Sequence, residues 1–426
     1  MNTAVLIEKI NIGEYDNLFI DMYGDTEKLQ YQRKRYTCAI KEFVSNFGEE
    51  EVTIFSAPGR SEIGGNHTDH QHGEVLAASV NVDTIGVVCK TEDNQVTVIS
   101  EGYDAITVRL EELELAETEK ETTKALIKGV LSEMKRRGYQ IGGLRAYITS
   151  DVLIGAGLSS SAAYEILIGT ILSGLYNEMS VSPIEIAMIG QCAENEYFGK
   201  PCGLMDQMAS AVGGLVHVDF AKPEAPLVEK VDFDMNQYGY SLCITDTKGS
   251  HADLTADYAA IPAEMKLVAA HFGQEILLGI KAEDIIEELE PLRKETGDRA
   301  VLRALHFINE NERVRAEVKA LKDEDISGFF RLVKESGDSS FKFLQNVYSN
   351  HDMQNQNVSL ALALSEMFLK EHGVCRVHGG GFAGTIQAFV KNDAVKAYQE
   401  AMNRVFGEGA CSVLKIRKYG GMKVVG

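Results

Sequence analysis

The sequence has little positive charge for its length. Its 426 residues include 42 lysines and arginines against 63 aspartates and glutamates, which gives a net charge of -21. A surface of this sign repels nucleic-acid phosphates and anionic lipids, which argues against a nucleic-acid-binding protein and against docking on a membrane. An anionic substrate would therefore need local basic residues or a metal ion to hold it.

Cysteine is scarce, and long apolar runs are missing. There are seven cysteines, an odd number, without a Cys-x-x-Cys pair, at positions 38, 89, 192, 202, 243, 375 and 411. This usage is typical of reduced thiols in a cytosolic protein and argues against a disulfide framework or a zinc site. No apolar stretch approaches membrane-spanning length, and residues 1–20 contain acidic residues that do not fit a signal peptide. We therefore expect a cytoplasmic protein.

The remaining composition is that of an ordinary globular protein, with 45% hydrophobic and 25% charged residues. The chain exceeds what one hydrophobic core usually supports, and it shows no internal repeat, so we expect two domains. The pattern predicts a largely helical extension at 1–50, a first domain at 51–215 and a second at 216–426. The basic cluster at 33–35 is interpreted as a solvated helix face.

A glycine- and serine-rich stretch organises the first half of the chain. Residues 152–163 read Val-Leu-Ile-Gly-Ala-Gly-Leu-Ser-Ser-Ser-Ala-Ala and lie between a β-prone segment and a helical one. Glycines let the backbone approach a ligand, and the N-terminus of the following helix offers unpaired N–H groups to an anion. The stretch predicts a phosphate-binding loop, although it lacks the Gly-Lys-Ser/Thr of the Walker motif. The alternative is a loop that only caps the helix.

A polar loop is predicted between a strand at 52–56 and another at 75–90. A turn signal at 57–60 ends with Arg60, and 61–73 then reads Ser-Glu-Ile-Gly-Gly-Asn-His-Thr-Asp-His-Gln-His-Gly. These short polar side chains suit a polyhydroxylated ligand, and an arginine beside them can face a transferring phosphoryl group. The alternatives are a metal cluster of the three histidines, which their irregular spacing disfavours, and a plain surface turn.

Asp206 has two interpretations. It follows a glycine-containing turn and begins a run of small and apolar residues. It is either the N-cap of a helix, a common place for aspartate, or a carboxylate that points into a cleft as a general base.

Four separated segments together resemble the galactokinases of the GHMP small-molecule kinase superfamily. Residues 58–69 resemble the signature Gly-Arg-x-Asn-Leu-Ile-Gly-Glu-His-Thr-Asp-Tyr, and 155–161 match the ATP-phosphate motif of the superfamily. Residues 193–207 resemble the segment with the catalytic aspartate, and 376–384 resemble the third superfamily motif. The likeness covers nearly the whole chain from about residue 50. It implies an α/β (α+β) fold of two GHMP kinase domains with the active site in the cleft between them.

The resemblance also implies roles. Asp206 would accept the proton of the anomeric hydroxyl, or hold this hydroxyl for attack, and Arg60 would stabilise charge in the transition state. Ser161 and Glu194 would carry Mg²⁺. The ATP phosphates would be held by Gly155, Ala156, Gly157, Leu158, Ser159, Ser160 and Ser161. The sugar would be held by Asn66, His67, Thr68, Asp69, Gly203 and Tyr258.

The activity implied is that of an ATP-dependent sugar 1-kinase, with α-D-galactose as the expected substrate. The alternatives are a kinase for L-arabinose, galacturonate or an N-acetylgalactosamine-type sugar, or a non-catalytic sensor of galactose and ATP. The expected partners are only the sugar and ATP, with no nucleic acid and no membrane, and the protein is expected to be a monomer or a weak homo-oligomer.

The chain departs from the family pattern where the sugar would bind. Asn66 stands where the family has glutamate, Glu62 where it has asparagine and His70 where it has tyrosine. In the third motif His378 replaces threonine and Ala383 replaces glycine. The paired arginines that follow the sugar-binding tyrosine in the family are also missing. The resemblance assigns none of these positions to phosphoryl transfer. The departures therefore bear on which sugar is bound.

Overall fold

Two β-sheets carry the fold. This computed structural model describes residues 1–426 without 25, 153–154, 156, 250–253, 352 and 383. The strands are β1 (Thr53–Gly64), β2 (Glu74–Lys90), β3 (Gln95–Ser100), β4 (Ile106–Arg109), β5 (Leu144–Ser150), β6 (Leu215–Asp219), β7 (Leu227–Val231), β8 (Tyr240–Asp246), β9 (Gly373–His378), β10 (Thr385–Lys391), β11 (Cys411–Leu414) and β12 (Met422–Val425). The larger sheet has the order β12-β1-β2-β5-β3-β4, with β6 paired to β2 and β7 to β6, and the smaller has the order β11-β8-β10-β9.

The helices pack on both sheets and between them. They are α1 (Thr3–Asn11), α2 (Asp16–Tyr23), α3 (Leu29–Phe47), α4 (Thr123–Arg136), α5 (Ser160–Tyr176), α6 (Pro183–Cys192), α7 (Met205–Val212), α8 (Thr255–His271), α9 (Ala282–Glu287), α10 (Leu289–Thr296), α11 (Asp298–Lys322), α12 (Ile326–Ser339), α13 (Asn357–Leu369) and α14 (Val395–Phe406). A π-helical turn at Ala193–Phe198 continues α6. No helix in the described ranges is long and apolar enough to span a bilayer.

Strand β2 explains how one sheet supports two layers. Its apolar side chains alternate, so that Val75 and Ala77 enter the core under α4–α7, whereas Leu76, Ala78 and Val80 enter a second core with α11 and α12. Successive side chains of a strand point to opposite faces, and a strand buried on both faces reads as a nearly continuous apolar run. This strand therefore joins the two halves of the molecule.

The N-terminal extension is helical, as predicted, and covers the remaining part of the larger sheet. Helix α3 buries Tyr36, Ile40 and Phe43, which recur at helical spacing, against Val87 of β2 and its neighbours. The interpretation of the basic cluster as a solvated face is wrong for Arg35, which is only 8% exposed. This side chain is buried because two acidic partners, Asp83 on β2 and Asp151 directly after β5, neutralise its charge.

Two further predictions of local structure are wrong. Residues 57–60 do not form a turn, because β1 continues through them to Gly64 and its pairing with β2 resumes after irregularities at 58–60 and 62–64. The sequence also predicts two separate helices, at 298–305 and 310–322, whereas the structure has one helix, α11, across both ranges. In both cases tertiary pairing and packing continue an element that the local sequence alone would end.

The division into domains at residues 50 and 215 stays a prediction. Strands β7 and β12, which follow residue 215 in the chain, pair within the larger sheet. The sheet that carries the phosphate-loop segment therefore includes the C-terminal end of the chain.

Candidate active site

The centre of the candidate site is an ion pair between Arg60 on β1 and Asp206 on α7. The guanidinium donates from Nε to Oδ1 over 2.6 Å and from Nη2 to Oδ2 over 2.7 Å. Such a two-point contact fixes both groups in orientation as well as in distance. Asp206 does not cap the helix, because the N-cap residue is Leu204 and Asp206 lies within the first turn. The structure therefore favours the interpretation of Asp206 as a carboxylate of the site.

The surroundings of Asp206 keep it ionised. Burial by itself would raise the pKa of this carboxyl, but the charge and the hydrogen bonds of Arg60, together with the Ser159 hydroxyl, lower the pKa below its ordinary value. Lys200 adds a smaller effect of the same sign. A carboxylate that is charged at neutral pH can accept a hydrogen bond from a substrate hydroxyl.

Arg60 also holds the glycine-serine loop. Its Nη1 donates to the carbonyl of Gly157 over 2.5 Å, and its backbone N–H donates to the carbonyl of Leu158 over 3.1 Å. Gly157 has a φ of 72°, and a Cβ there would lie 2.3 Å from Thr385 Oγ1, so only glycine fits. Ser159 follows as the N-cap residue of α5. The loop is thus pressed between β1 and β10 at the start of a helix.

Gly155, Ser160 and Ser161, which are also predicted to bind phosphate, lie in the same segment of the chain. Gly155 has a positive φ, and Ser160 and Ser161 open α5. Ala156 lies outside the described residues. The first turn of this helix has N–H groups without an intrahelical partner, which is the feature that an anion site needs.

Ser161 and Glu194 lie together, although 33 residues separate them in sequence, because the π-helical turn brings the glutamate over the start of α5. The serine hydroxyl donates to Glu194 Oε1 over 3.0 Å. The other oxygen of Glu194 accepts from Gln207 over 2.8 Å, and Lys200 Nζ lies 3.3 Å from Oε1. One hydroxyl and one carboxylate fit Mg²⁺, which usually takes one or two protein oxygens and completes its shell with water and substrate phosphates.

A second acid lies beneath this pair. Glu165 of α5 is almost fully buried, and Gln207 donates to it over 3.0 Å. Burial, and then the neighbouring Glu194, raise the pKa of Glu165 well above its ordinary value. Gln207 therefore connects Glu165 to Glu194, the carboxylate that the resemblance implies as a metal ligand.

Asp69 lies at the side of Asp206. A Cβ on Gly203 would lie 1.7 Å from Asp69 Oδ2, so the loop before α7 approaches this carboxylate as closely as only glycine allows. Burial, and then the charge of Asp206, raise the pKa of Asp69 to about 6. Thr68 by contrast is fully buried and donates to the carbonyls of Gly65 and Glu74, which makes it part of the loop's internal framework.

His67 and Tyr258 meet the third glycine-rich loop. His67 Nε2 donates to the carbonyl of Gly380 over 3.1 Å, and burial lowers its pKa to about 4, so the ring is neutral. The Tyr258 hydroxyl donates to the carbonyl of Gly381 over 2.9 Å, and its ring packs edge-on against Phe382. Residues more than 100 positions apart thus surround one loop.

Asn66 lies deeper than the sequence suggested. It is fully buried, and its amide nitrogen donates to Glu62 Oε1 and Oε2 over 3.1 and 3.2 Å and to the carbonyl of Gly379 over 2.7 Å. Its amide oxygen accepts from Asn346 over 2.8 Å and from Ser340 over 3.2 Å. Both ends of the amide are therefore engaged by the protein.

Glu62, the partner of Asn66, is also buried. It pairs with Arg376, which lies entirely inside the protein, and burial still raises the pKa of Glu62 to about 7 against the lowering effect of that arginine. Two of the positions at which the chain departs from the family pattern, 62 and 66, are therefore hydrogen-bonded to each other.

Sequence reasoning did not assign a role to His378. Its Nε2 accepts from the backbone N–H of Glu62 over 3.2 Å, so Nδ1 carries the proton and donates to Thr385 over 2.9 Å. Ser61 lies 3.1 Å from the same Nε2. Asn346 and His306, which contact Asn66, were also missed, because no motif surrounds them in the sequence. For His378, its departure from the third motif was the available signal.

The chain is similar to known proteins in both sequence and fold. Residues 125–214 match the GHMP kinases N terminal domain, and residues 41–90 match the galactokinase galactose-binding signature. The galactokinase of Glaesserella parasuis serovar 5 is 31% identical over 84% of this chain and 90% of its own length. The solved structure of Lactococcus lactis galactokinase complexed with galactose is 26% identical, with a TM-score of 0.78 over 91% of this chain and 100% of that one. The mevalonate kinase of Methanococcus jannaschii shares the fold, with a TM-score of 0.61 at 15% identity over 86% of this chain and 98% of that one.

Proposed function

Because the chain belongs to the galactokinases of the GHMP kinase superfamily, we propose that it transfers the γ-phosphoryl group of ATP to the anomeric hydroxyl of α-D-galactose, giving galactose 1-phosphate. The observation that carries the proposal is the Arg60–Asp206 pair, which joins a carboxylate directly to the phosphate loop. Phosphoryl transfer needs positioning and charge neutralisation rather than covalent work by the protein.

Asp206 acts on the sugar hydroxyl. Its lowered pKa makes it a charged acceptor but a weak base, so it holds and orients the hydroxyl before the phosphoryl group begins to move. The proton passes to the carboxylate as the oxygen gains bonding to phosphorus. Arg60 keeps the carboxylate in place and supplies positive charge next to the loop that holds the transferring group.

The sugar is proposed to lie between Asp69, His67 and Tyr258. Asp69 accepts hydrogen bonds from adjacent hydroxyls, and Gly203 leaves room for this contact. Asn66 and Thr68 act from below, through hydrogen bonds that fix the shape of the loop. The residues predicted to contact sugar therefore divide into a group at the surface of the loop and a group that supports it.

Mg²⁺ is proposed to bind at Ser161 and Glu194, whose oxygens are 3.0 Å apart. When bound, it would neutralise charge on the ATP phosphates. Gln207 orients the carboxylate of Glu194, and Lys200 neutralises its charge in the absence of the metal.

The comparisons favour an enzyme over the non-catalytic sensor, because the relatives reported above are galactokinases. A kinase for L-arabinose, galacturonate or an N-acetylgalactosamine-type sugar remains the alternative within the class. We also propose a cytoplasmic location, which the free state of all seven cysteines supports. The proposed two-domain organisation fits a site assembled from both halves of the chain.

The test is the release of ADP, followed with a coupled assay in the presence of Mg²⁺ and a panel of aldoses. We expect galactose to give the highest kcat/KM of the panel. ADP release with another sugar but none with galactose would contradict the substrate while leaving the kinase class intact. ATP binding without sugar-dependent ADP release would favour the sensor.

A further inference from the structure

Helix α3 of the N-terminal extension reaches the segment that leads into the phosphate loop. The hydroxyl of Tyr31 donates to Asp151 Oδ1 over 2.7 Å, and Arg35 Nη1 lies 3.2 Å from Asp151 Oδ2. Asp151 comes directly after β5 and four residues before Gly155. Two side chains of one helix therefore bind both oxygens of the carboxylate at the entrance of the loop.

The contact between Arg35 and Asp151 is supported by a second, buried carboxylate, that of Asp83. Arg35 donates to the buried Asp83 over 2.6 Å at Oδ1 and over 2.7 Å at its carbonyl. Asp83 also accepts from Tyr23 over 2.8 Å and from Arg417 over 2.7 Å. The backbone N–H of Asp151 donates to the same carbonyl of Asp83 over 2.9 Å. A carboxylate with this many donors holds its neighbours in one arrangement.

The entrance of the loop is in turn connected to the reacting pair. A Cβ on Gly59 would lie 3.2 Å from the side chain of Val152 and 2.9 Å from the carbonyl of Leu158, so β1 packs closely against both ends of the loop. The next residue of β1 is Arg60, which donates to Gly157 and binds Asp206. A displacement of residues 151–152 would therefore change how the loop lies against Arg60.

We propose that Tyr31 is a positioning residue for ATP, which holds the phosphate loop in its binding arrangement by fixing Asp151 from the N-terminal extension. The inference rests on the proposed function, because its effect is exerted on nucleotide binding. Tyr31 is 51% exposed and borders an open cleft of about 440 Å³ between α3 and β5. Loss of its hydroxyl should therefore affect the loop more than the stability of the fold.

The test compares Tyr31→Phe with Tyr419→Phe as a matched control. The Tyr419 hydroxyl also donates to a carboxylate of the extension, Asp21 on α2, but this contact is not at the phosphate loop. Each variant loses one hydroxyl–carboxylate hydrogen bond. We expect Tyr31→Phe to weaken ATP binding, measured by titration calorimetry without sugar, and to raise KM for ATP, each about fivefold, the value of one net hydrogen bond. KM for sugar and the melting temperature should match those of Tyr419→Phe.

A second background tests whether the effect passes through Asp151. In an Asp151→Ala protein, Tyr31→Phe should have no further effect on ATP binding, because the acceptor is already gone. The inference is overturned if Tyr31→Phe binds ATP as Tyr419→Phe does, or if its effect persists in the Asp151→Ala background. Wild-type protein that binds ATP but does not phosphorylate a sugar would contradict the proposed function and leave this inference standing. Wild-type protein that does not bind ATP would overturn both.

Discussion

The buried pair of Glu62 and Asn66 allows a quantitative test of the site, because the galactokinase pattern has an amide at the first position and an acid at the second. In this chain Asn66 donates to both oxygens of Glu62 over 3.1 and 3.2 Å. The variant Asn66→Glu replaces that donor with a second carboxylate in a buried site. The double variant, Glu62→Asn with Asn66→Glu, restores an acid–amide pair with the positions exchanged.

The expected cost of Asn66→Glu follows from the contacts that change. The substitution removes the donor to Glu62 and to the carbonyl of Gly379 and brings two acids to hydrogen-bond distance. Breaking a buried charged network in this way costs about 3–5 kcal/mol of unfolding free energy. Glu62 already has a pKa of about 7, and a second acid beside it raises the pKa further. Asn66→Glu should therefore lower the free energy of unfolding more at pH 8 than at pH 6.

The double variant should recover at least half of this loss. Asn346 and Ser340 already donate to the side-chain oxygen of residue 66, so a glutamate there would find two donors in addition to the new amide at position 62. Arg376 would keep its contacts to the carbonyls of Ile63 and Val377. Recovery of half of this loss requires a coupling energy of at least about 2 kcal/mol in a double-mutant cycle, because any cost of Glu62→Asn alone adds to it.

The assay is denaturant unfolding of wild type, Glu62→Asn, Asn66→Glu and the double variant at both pH values, with kcat/KM for galactose, L-arabinose and galacturonate measured beside it. Galacturonate turnover should fall more than galactose turnover in Asn66→Glu, because its carboxylate would meet an added negative charge. The reasoning is refuted if Asn66→Glu is as stable as wild type, or if the double variant loses as much as the two single variants together.

Three further results are expected. Asp206→Asn should lower kcat about 10²-fold or more, because it removes the carboxylate that accepts the proton of the sugar hydroxyl. Sugar and ATP binding should largely survive. A nearly normal kcat would exclude Asp206 as the proton acceptor. Ser161→Ala and Glu194→Gln should each raise the Mg²⁺ concentration that gives half-maximal rate, because each removes or weakens an oxygen ligand, and titrations that overlay wild type would contradict the assignment. The kcat/KM for sugar should rise with pH through about 6, because only ionised Asp69 accepts from the sugar hydroxyls, and a flat profile would contradict this. Folding raises the pKa of Asp69 from 3.8 to about 6, which means that ionised Asp69 is less favourable in the folded protein than in the unfolded chain. The contribution of Asp69 to the free energy of unfolding therefore falls as pH rises from 3.8 to about 6.

The fold class and the elements with strong local patterns could be predicted from the sequence. The short apolar run of β8 and the apolar spacing of α4 and α14 predict those elements from local sequence. The turn predicted at 57–60 was wrong, because proline and glycine usually end a strand. In the structure β1 continues through these residues and packs against Val152 and Leu158. That outcome depends on a neighbour about 100 residues away.

The sequence by itself determined the chemistry that is available: a glycine-serine loop at a helix start, a polar loop with Arg60, and Asp206 at a helix beginning. Only the tertiary structure decided which groups meet. Arg60 binds Asp206 across 146 positions, and Asn66 binds Gly379 across 313, and no local pattern encodes such contacts. The physical reason is that a buried polar group must find a partner, and the packing of distant elements decides which partner lies within reach. For this reason Arg35 is a buried anchor rather than a solvated side chain, and Asn66 lies inside the wall of the site.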